Sequence, residues 1–336
     1  MVLLQQLSTA VLISLAANVL AAGSPSFVPE QSQGEREKIL MDFDWKFHLG
    51  DAPDVGTNLD YPEVKDLAKT QVRDVGLEGE LANVADAVTK NLGANISFVQ
   101  NNFDDNKWRQ LDLPHDWAVE LPFVTNGVVS GTTSDLNEIN NTVDQKSLLN
   151  HGFKPVGPGF SQSNVGWYRK EFDLPADDKG KTLWLDFDGI FRNSLVWLNG
   201  HCLGRHLSGY SSFRYDISQF ANYGGRNEVV VRVDASKYEG WFYEGAGIYR
   251  HVWLEKTSPI AVAPDGIFVW SEFENDDLNR ICHVHVQTSV QCQGSVTNFF
   301  EFYRTRYELF DPKGSLVGSV EQTNEASMAK INAIVS

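Results

Sequence analysis

The sequence is poor in positive charge. Lysine and arginine together number 28 among 336 residues, whereas aspartate and glutamate number 44, so the formal net charge at pH 7 is -16. A protein with this charge repels nucleic-acid phosphates and anionic lipid surfaces, and we therefore expect neither as a partner. A neutral substrate fits such a surface better.

Cysteine is also scarce. The three cysteines, Cys202, Cys282 and Cys292, form an odd set, and none of them lies in a C-x-x-C pair. This spacing indicates neither a zinc site nor a dense disulfide framework, and we expect no bound cofactor. A bridge between Cys282 and Cys292 and three buried free thiols are the two alternatives, since free cysteine is among the most buried residue types.

Long hydrophobic runs are absent after the amino-terminus, so we expect no later segment to span a membrane. Residues 1–22 are mostly apolar, are interrupted by polar residues, and end in the small residues Ala21 and Ala22. Although a positively charged start is missing, this outline is typical of a secretory signal peptide. It predicts a secreted or extracytoplasmic protein without membrane contact after cleavage, and a membrane anchor is the alternative.

Composition divides the remaining chain. Residues 23–38 are polar, contain two prolines and are predicted to form a linker. Apolar residues between positions 76 and 92 recur at helical spacing and predict one amphipathic helix, whereas residues 125–163, rich in Asn, Ser, Gly and Thr, predict a long surface loop. We assign residues 39–257, with both insertions, to a first domain and residues 258–336 to a second.

Short β segments separated by turn residues dominate from Gly166 onward. The stretches TLWLDFDG, NSLVWLNG and NEVVVRVD are rich in β-branched and aromatic residues. Asn199-Gly200 lies between two apolar runs, and because both residue types tolerate positive φ, the pair predicts a type I′ hairpin. Trp167 and Tyr168 are predicted to begin a strand with Trp167 buried, and a surface sugar platform is the less favoured alternative. Since no helices alternate with the strands, the pattern predicts an all-β fold, an antiparallel sandwich or barrel.

The second domain is predicted to be a β-sandwich as well. GIFVWSEF, ICHVHVQTSV and FFEFYRTRYELF alternate apolar and polar residues, and Asp311-Pro-Lys-Gly314 is a hairpin turn signal. The pattern resembles an immunoglobulin-like sandwich, which usually takes about 100 residues. The segment is shorter than that, and its ending SMAKINAIVS predicts no closing strand, so we expect this sandwich to be incomplete.

Five motifs occur in one order: WRQLDLPHDW at 108–117, GWYRKEFDLP at 166–175, DGIFRNSLVWLNGHCLG at 188–204, YSSFRYDIS at 210–218 and EGWFYEGAGIYRHVWL at 239–254. Together they resemble the N-terminal sugar-binding domain of glycoside hydrolase family 2, a jelly-roll, galactose-binding-like sandwich. The family contains β-galactosidases, β-glucuronidases and β-mannosidases, and the PHDW and EGAGIYRHVWL motifs are most similar to the β-galactosidases. Five ordered motifs are far more specific than any one alone.

The resemblance implies part of a larger enzyme. In the family both catalytic glutamates lie on a (β/α)₈ barrel of about 250 residues, for which two β domains in 336 residues leave no room. It therefore implies retaining hydrolysis of terminal β-galactosides by the complete enzyme, no catalytic residue in this chain, and no activity of the chain alone. The alternatives are a stand-alone, lectin-like carbohydrate-binding module and a relative of the β-glucuronidases or β-mannosidases.

The last motif places two glutamates, Glu239 and Glu244, among aromatic residues. Catalytic carboxylates of retaining glycosidases lie about 5 Å apart and normally come from separate strands, so two acids in one loop are not expected to be a catalytic pair. We predict instead that both lie at the rim of a sugar pocket, where they accept hydrogen bonds from hydroxyls and where Trp241 or Tyr243 stacks on the sugar ring. Solvated loop acids beside core aromatics are the alternative.

Asp116, in PHDW, is the residue that the resemblance most directly implicates in substrate contact. In the β-galactosidases the residue before this tryptophan reaches toward the bound galactose, and a charged acceptor there can take two hydroxyl hydrogen bonds. The alternative is a helix or turn cap, which is ordinary for Asp after Pro-His. His115 is predicted to be a structural hydrogen-bonding residue rather than a base, and Arg250 to tie loop carbonyls or carboxylates together.

Overall fold

The computed structural model describes residues 36–56, 59, 88, 90–122, 156, 163–236, 244–273, 282–292, 302–311, 313–325 and 330–335. The predicted signal peptide at residues 1–22 and most of the predicted helix at 76–92 and loop at 125–163 lie outside these residues. The regular secondary structure of the described residues is almost entirely β, which confirms the predicted fold class. No helix in the described part is long and apolar enough to cross a membrane.

The strands are numbered in chain order: β1 (Glu37–Leu40), β2 (Trp45–Leu49), β3 (Arg109–Leu111), β4 (Val165–Leu174), β5 (Thr182–Phe187), β6 (Ser194–Leu198), β7 (His201–His206), β8 (Phe213–Asp216), β9 (Gly225–Asp234), β10 (Val252–Thr257), β11 (Ile260–Phe273), β12 (Cys282–Cys292), β13 (Phe302–Phe310), β14 (Leu316–Glu325) and β15 (Lys330–Val335). The described residues also contain one short α-helix, Trp117–Glu120, and 3₁₀ turns at Ser97–Val99 and Ala176–Asp178.

Contacts divide the chain into two units, Glu37–Lys256 and Thr257–Ser336, the second counted together with the residues before Glu37. In the first unit six strands form one sheet in the order β3-β2-β4-β9-β6-β7, and four form another in the order β1-β10-β5-β8. Neighbouring strands such as β4 and β9 run antiparallel. The main hydrophobic core lies between these two sheets and contains residues of both, including Val231 of β9 and Leu185 of β5.

The six-stranded sheet also carries buried residues on its other face. Val230 of β9 packs there with Trp167 and Trp197, whose rings are stacked with centroids 5.6 Å apart. Residues from the segments 52–59 and 96–99 belong to the same cluster. Burial on both faces explains the unbroken valine run of β9, because a strand with one solvated face would alternate with polar residues. Trp167 is fully buried as predicted, and the alternative of a surface sugar platform is wrong.

The hairpin between β6 and β7 has the predicted turn. Leu198 pairs with His201, so the loop consists of Asn199 and Gly200 alone. Their φ angles are 50° and 80°, and positive φ at both positions is what a type I′ turn requires.

The predicted linker ends two residues too late. Glu37 and Lys38 belong to β1 and pair with Lys256 and Glu255 of β10. The buried ammonium of Lys256 lies 3.4 Å from the Glu37 carboxylate and 2.7 Å from that of Asp178. The polar composition of this segment suggested a linker, but its charged residues pair across the sheet and so stabilise an edge strand.

A buried arginine joins the six-stranded sheet to the segment that covers it. The side chain of Arg169, on β4, is 1% exposed and donates to the carboxylates of Asp105 (3.0 Å) and Glu228. It also donates to the backbone carbonyls of Phe98 and Gln100. Burial raises the pKa of the Asp105 carboxyl, but hydrogen bonds from Lys46 and Arg169 outweigh burial and hold that pKa below its usual value. The guanidinium thus has partners for most of its donors.

The second unit consists of a sheet in the order β11-β12-β15 and a hairpin of β13 and β14. Val286 of β12 and Tyr307 of β13 are buried in one small cluster, so the sheet and the hairpin pack against each other. The turn at Asp311 forms as predicted: Gly314 N–H donates to the Asp311 carbonyl at 2.9 Å, and Gly314 has φ 85°.

The expectation that the chain ending has no strand is wrong. Lys330–Val335 forms β15 and pairs antiparallel with β12, Val284 opposite Val335. The six-residue segment carries a weak local signal, and it is the free edge of β12 that makes it a strand.

The alternative of a Cys282–Cys292 bridge is also wrong. These residues are the two ends of β12. At a rise of about 3.3 Å per residue their Cα atoms are about 33 Å apart, whereas a disulfide requires roughly 7 Å or less. The remaining cysteine, Cys202, is a buried free thiol.

Replacing Arg169 with alanine should lower the free energy of unfolding by about 3–5 kcal/mol, because it leaves two buried carboxylates without their shared cation. The measurement is denaturant unfolding followed by tryptophan fluorescence. Arg226→Ala is the matched control: Arg226 pairs with Glu171 at 3.0 Å, but both side chains are about half exposed, and the expected loss is below about 1 kcal/mol. Equal losses in the two variants would contradict the role given to Arg169.

Candidate functional site

The PHDW motif forms a turn that leads into a short helix. The peptide bond between Leu113 and Pro114 is cis. Asp116 is extended and precedes the helix Trp117–Glu120, and its Oδ1 accepts a hydrogen bond from Ala118 N–H at 2.9 Å. Aspartate is favoured here because its carboxylate satisfies a donor that the first helical turn leaves free. Asp116 therefore does act as a helix cap.

This turn is joined to the EGAGIYR motif by hydrogen bonds. The backbone N–H groups of His115 and Trp117 donate to the carbonyls of Ile248 and Ala246 at 2.8 and 2.9 Å. In return, Ala246 N–H donates to Asp116 Oδ1 at 2.8 Å. One carboxylate oxygen thus holds backbone groups of both motifs, which lie 130 residues apart in the chain.

Gly247 brings a third segment to the same place. Its N–H and carbonyl both pair with Phe191, at 2.7 and 2.9 Å. Gly247 has φ 131°, and a Cβ atom at this position would lie 2.5 Å from the His115 carbonyl oxygen and from the Tyr168 hydroxyl. Only glycine fits both the backbone angle and this close approach. Glycine is therefore required at position 247 both by the backbone angle and by the packing against His115 and Tyr168.

His115 has a structural role, as predicted. Its Nδ1 lies 2.8 Å from the Tyr168 hydroxyl, and its Nε2 lies 3.4 Å from Glu120 Oε1. Burial lowers the pKa of His115 even though Glu120 opposes it, so the imidazole is neutral at pH 7. Burial also raises the pKa of Tyr168 well above its usual value, which keeps the phenol protonated. The contact between His115 and Tyr168 thus joins the PHDW turn to β4.

The predicted rim residues are only partly described. Glu244 lies two residues before Ala246 and is partly exposed. Glu239, Trp241 and Tyr243 lie outside the described residues, so their place at a sugar pocket stays a prediction, as does substrate contact by Asp116.

Two further observations bear on the loops. Arg250 donates to the Asp188 carbonyl at 3.3 Å, which confirms its predicted use as a tie between loops. In the part of the chain that the structure describes, no group of three or more His, Cys, Asp or Glu side chains is arranged to hold a metal ion.

A groove of about 410 Å³ lies beside the PHDW turn and was not predicted. It is lined by side chains of β2, the start of β3 and the short helix: Phe47, His48, Leu49, Lys107, Trp108, Arg109, Trp117, Glu120 and Leu121. These residues come together because β2 pairs with β3, with Phe47 opposite Arg109. The available sequence signal was the cluster of Trp, Arg and acidic residues in the first motif, but the contribution of β2 depends on strand pairing.

Comparison with known proteins supports the resemblance. Residues 160–249 match the family model described as glycosyl hydrolase 2 galactose-binding domain-like. This span includes most of the last motif, up to EGAGIY. The match confirms the predicted resemblance to glycoside hydrolase family 2.

Two curated relatives illustrate how far the similarity extends. The chain is 40% identical over 179 residues to the β-galactosidase BoGH2A of Bacteroides ovatus and 35% identical over 173 residues to a putative β-glucuronidase of Formosa agariphila. The matches cover 53% and 51% of this chain but only 18% and 14% of those proteins. A solved β-glycosidase from Bacteroides vulgatus has a TM-score of 0.58 and 26% identity, over 89% of this chain and 29% of that one. The chain therefore corresponds to a minor part of these proteins.

Substitution of Gly247 by alanine should destabilise the first unit by about 2 kcal/mol or more, because the new Cβ meets a backbone carbonyl and a buried hydroxyl that cannot both move away. Thermal or denaturant unfolding measures the loss. Gly225→Ala is the control, since a Cβ there meets nothing within 4 Å, and its effect should stay within about 0.5 kcal/mol. A neutral Gly247→Ala would show that the loops are not packed as described.

Proposed function

We propose that this chain, whose residues 160–249 carry the galactose-binding-like domain of glycosyl hydrolase family 2, is the amino-terminal portion of a secreted glycosidase that hydrolyses terminal β-galactosides. In this proposal the chain supplies a rigid framework and part of the rim of the sugar pocket. Both catalytic carboxylates belong to a barrel in the longer enzyme, where one protonates the leaving oxygen and the other attacks the sugar.

The observation that carries the proposal is the double use of Asp116 Oδ1. It caps the helix of the PHDW turn and holds Ala246 of the EGAGIYR loop. The two motifs that are most similar to β-galactosidases are therefore hydrogen-bonded to each other, and Glu244 lies two residues before Ala246 in the chain. An anchored carboxylate is well suited to accept hydroxyl hydrogen bonds, because its orientation is set before the sugar arrives.

We choose a galactoside over a glucuronide because the PHDW and EGAGIYRHVWL motifs are most similar to those of β-galactosidases. In addition, the more similar of the two relatives described above is a β-galactosidase. A β-glucuronidase relative is the second candidate, since one of those relatives bears that name. A lectin-like module is the third, favoured by the galactose-binding-like description of the matched domain. Secretion is proposed from the amino-terminal sequence.

The purified chain should not hydrolyse nitrophenyl β-galactoside or nitrophenyl β-glucuronide, because no acid pair of this chain is assigned to catalysis. Turnover that is lost in Glu239→Gln or Glu244→Gln would contradict this assignment. Calorimetry with galactose tests the lectin alternative: absence of saturable binding by the chain alone would contradict it, whereas binding by itself would not establish it.

The positive arm of the test uses the Bacteroides ovatus β-galactosidase with its matching segment exchanged for that of this chain. The hybrid should hydrolyse the β-galactoside, and Asp116→Asn in it should lower kcat/KM by about tenfold or more, since a charged acceptor is replaced by a neutral one that still caps the helix. Asp177→Asn, at an exposed position of a 3₁₀ turn, is the control and should change little. A hybrid whose rate does not respond to Asp116→Asn would remove this residue from the pocket rim.

A further inference from the structure

The groove beside the PHDW turn combines an aromatic wall, the partly exposed ring of Trp108, with polar groups at its edge. Its volume of about 410 Å³ lies within the range of small-molecule sites, roughly 300–1,000 Å³. We propose that this groove binds a pyranose ring of a carbohydrate, packed against the exposed part of Trp108 and hydrogen-bonded by Arg109, Glu120 and His48. The site goes beyond the proposed hydrolysis, and its occupancy is measurable on this chain whether or not a longer enzyme is active.

The aromatic wall is held in place by neighbouring rings. Trp108 is stacked with His48, with centroids 5.3 Å apart, and meets the edges of Phe98 and Phe103 at 4.8 and 5.7 Å. Trp108 is partly exposed and lines the groove. A tryptophan fixed in this way loses little freedom when a ligand packs on it, and the C–H face of a pyranose is the kind of flat apolar surface that such a wall accepts.

The edge of the groove carries a bidentate ion pair. Arg109 donates to both oxygens of Glu120, at 2.5 and 2.8 Å, and both side chains are more than a third exposed. The pair uses two of the five guanidinium donors and leaves about three, while the carboxylate keeps lone pairs free. The pKa of Glu120 is held below its usual value, first by the hydrogen bond from Arg109, so it is an ionised acceptor. Donors and acceptors side by side, with no net charge, match the hydroxyls of a sugar.

His48 adds a third polar contact. Burial lowers the pKa of His48, so its ring is uncharged near neutral pH and offers one donor and one acceptor. Lys107, at the groove's edge, is exposed and adds one positive charge to an otherwise balanced set. A phosphate-rich ligand would meet Glu120 and the overall charge of -16, which disfavours a nucleotide and favours a neutral polyol ring.

The test measures sugar binding to the whole chain by calorimetry and saturation-transfer NMR, with methyl β-galactoside, methyl β-glucoside and lactose as probes. We expect weak, saturable, millimolar binding of at least one probe. Trp108→Ala should weaken it by about tenfold or more, because the packed wall is removed. Trp184→Ala replaces another partly exposed tryptophan, on β5 outside the groove, and should leave the affinity within about twofold.

Two further variants keep the test valid even if Trp108→Ala does not fold. Arg109→Ala and Glu120→Ala break an exposed ion pair and cost little stability, yet each should weaken binding by about threefold or more by removing hydroxyl partners. The proposal is overturned if no probe binds at roughly 50 mM, a concentration tens of times higher than an expected Kd of about 1 mM. It is equally overturned if a probe binds and neither Arg109→Ala nor Glu120→Ala changes its affinity, because the sugar then occupies another place on the chain.

Discussion

The buried guanidinium of Arg169 is the interaction on which the first unit depends. It lies on β4, inside the six-stranded sheet, and binds two carboxylates and two backbone carbonyls. One of those carboxylates, Asp105, and both carbonyls belong to the segment that covers the outer face of the sheet. Since that segment leads directly into Trp108 and β3, the arginine fixes both the wall of the groove and the approach to the PHDW turn.

The PHDW turn and the EGAGIYR loop are also held together by a carboxylate and its hydrogen bonds. Asp116 Oδ1 accepts hydrogen bonds from N–H groups of two motifs. Because Gly247 has no side chain, the His115 carbonyl and the Tyr168 hydroxyl can approach its backbone closely. A residue that resemblance implicates in substrate contact is thus also a structural one. The two roles are compatible, because a carboxylate anchored by backbone donors presents a fixed geometry to a ligand.

Local chemistry predicted much of this fold. The Asn199-Gly200 hairpin, the turn at Asp311 and the burial of Trp167 all follow from residue type and spacing, because each depends on neighbours within a few positions. The predictions that were wrong depend on partners far along the chain. Lys330–Val335 forms β15 because it pairs with the edge of β12. Glu37 belongs to β1 because it pairs with Lys256 of β10.

The sequence by itself determined the β fold class, the main turns and, through five ordered motifs, the resemblance to glycoside hydrolase family 2. The resemblance also implicated Asp116 in substrate contact, with a helix or turn cap as the alternative, and residue type predicted a structural hydrogen-bonding role for His115. Only the tertiary structure decided what those residues touch: the tie from Asp116 to Ala246, the approach of Gly247 to Tyr168, and the groove where β2 meets β3. The physical reason is that hydrogen bonds and packing act over a few ångströms in space, whereas these partners are separated by 60 to 130 residues of chain.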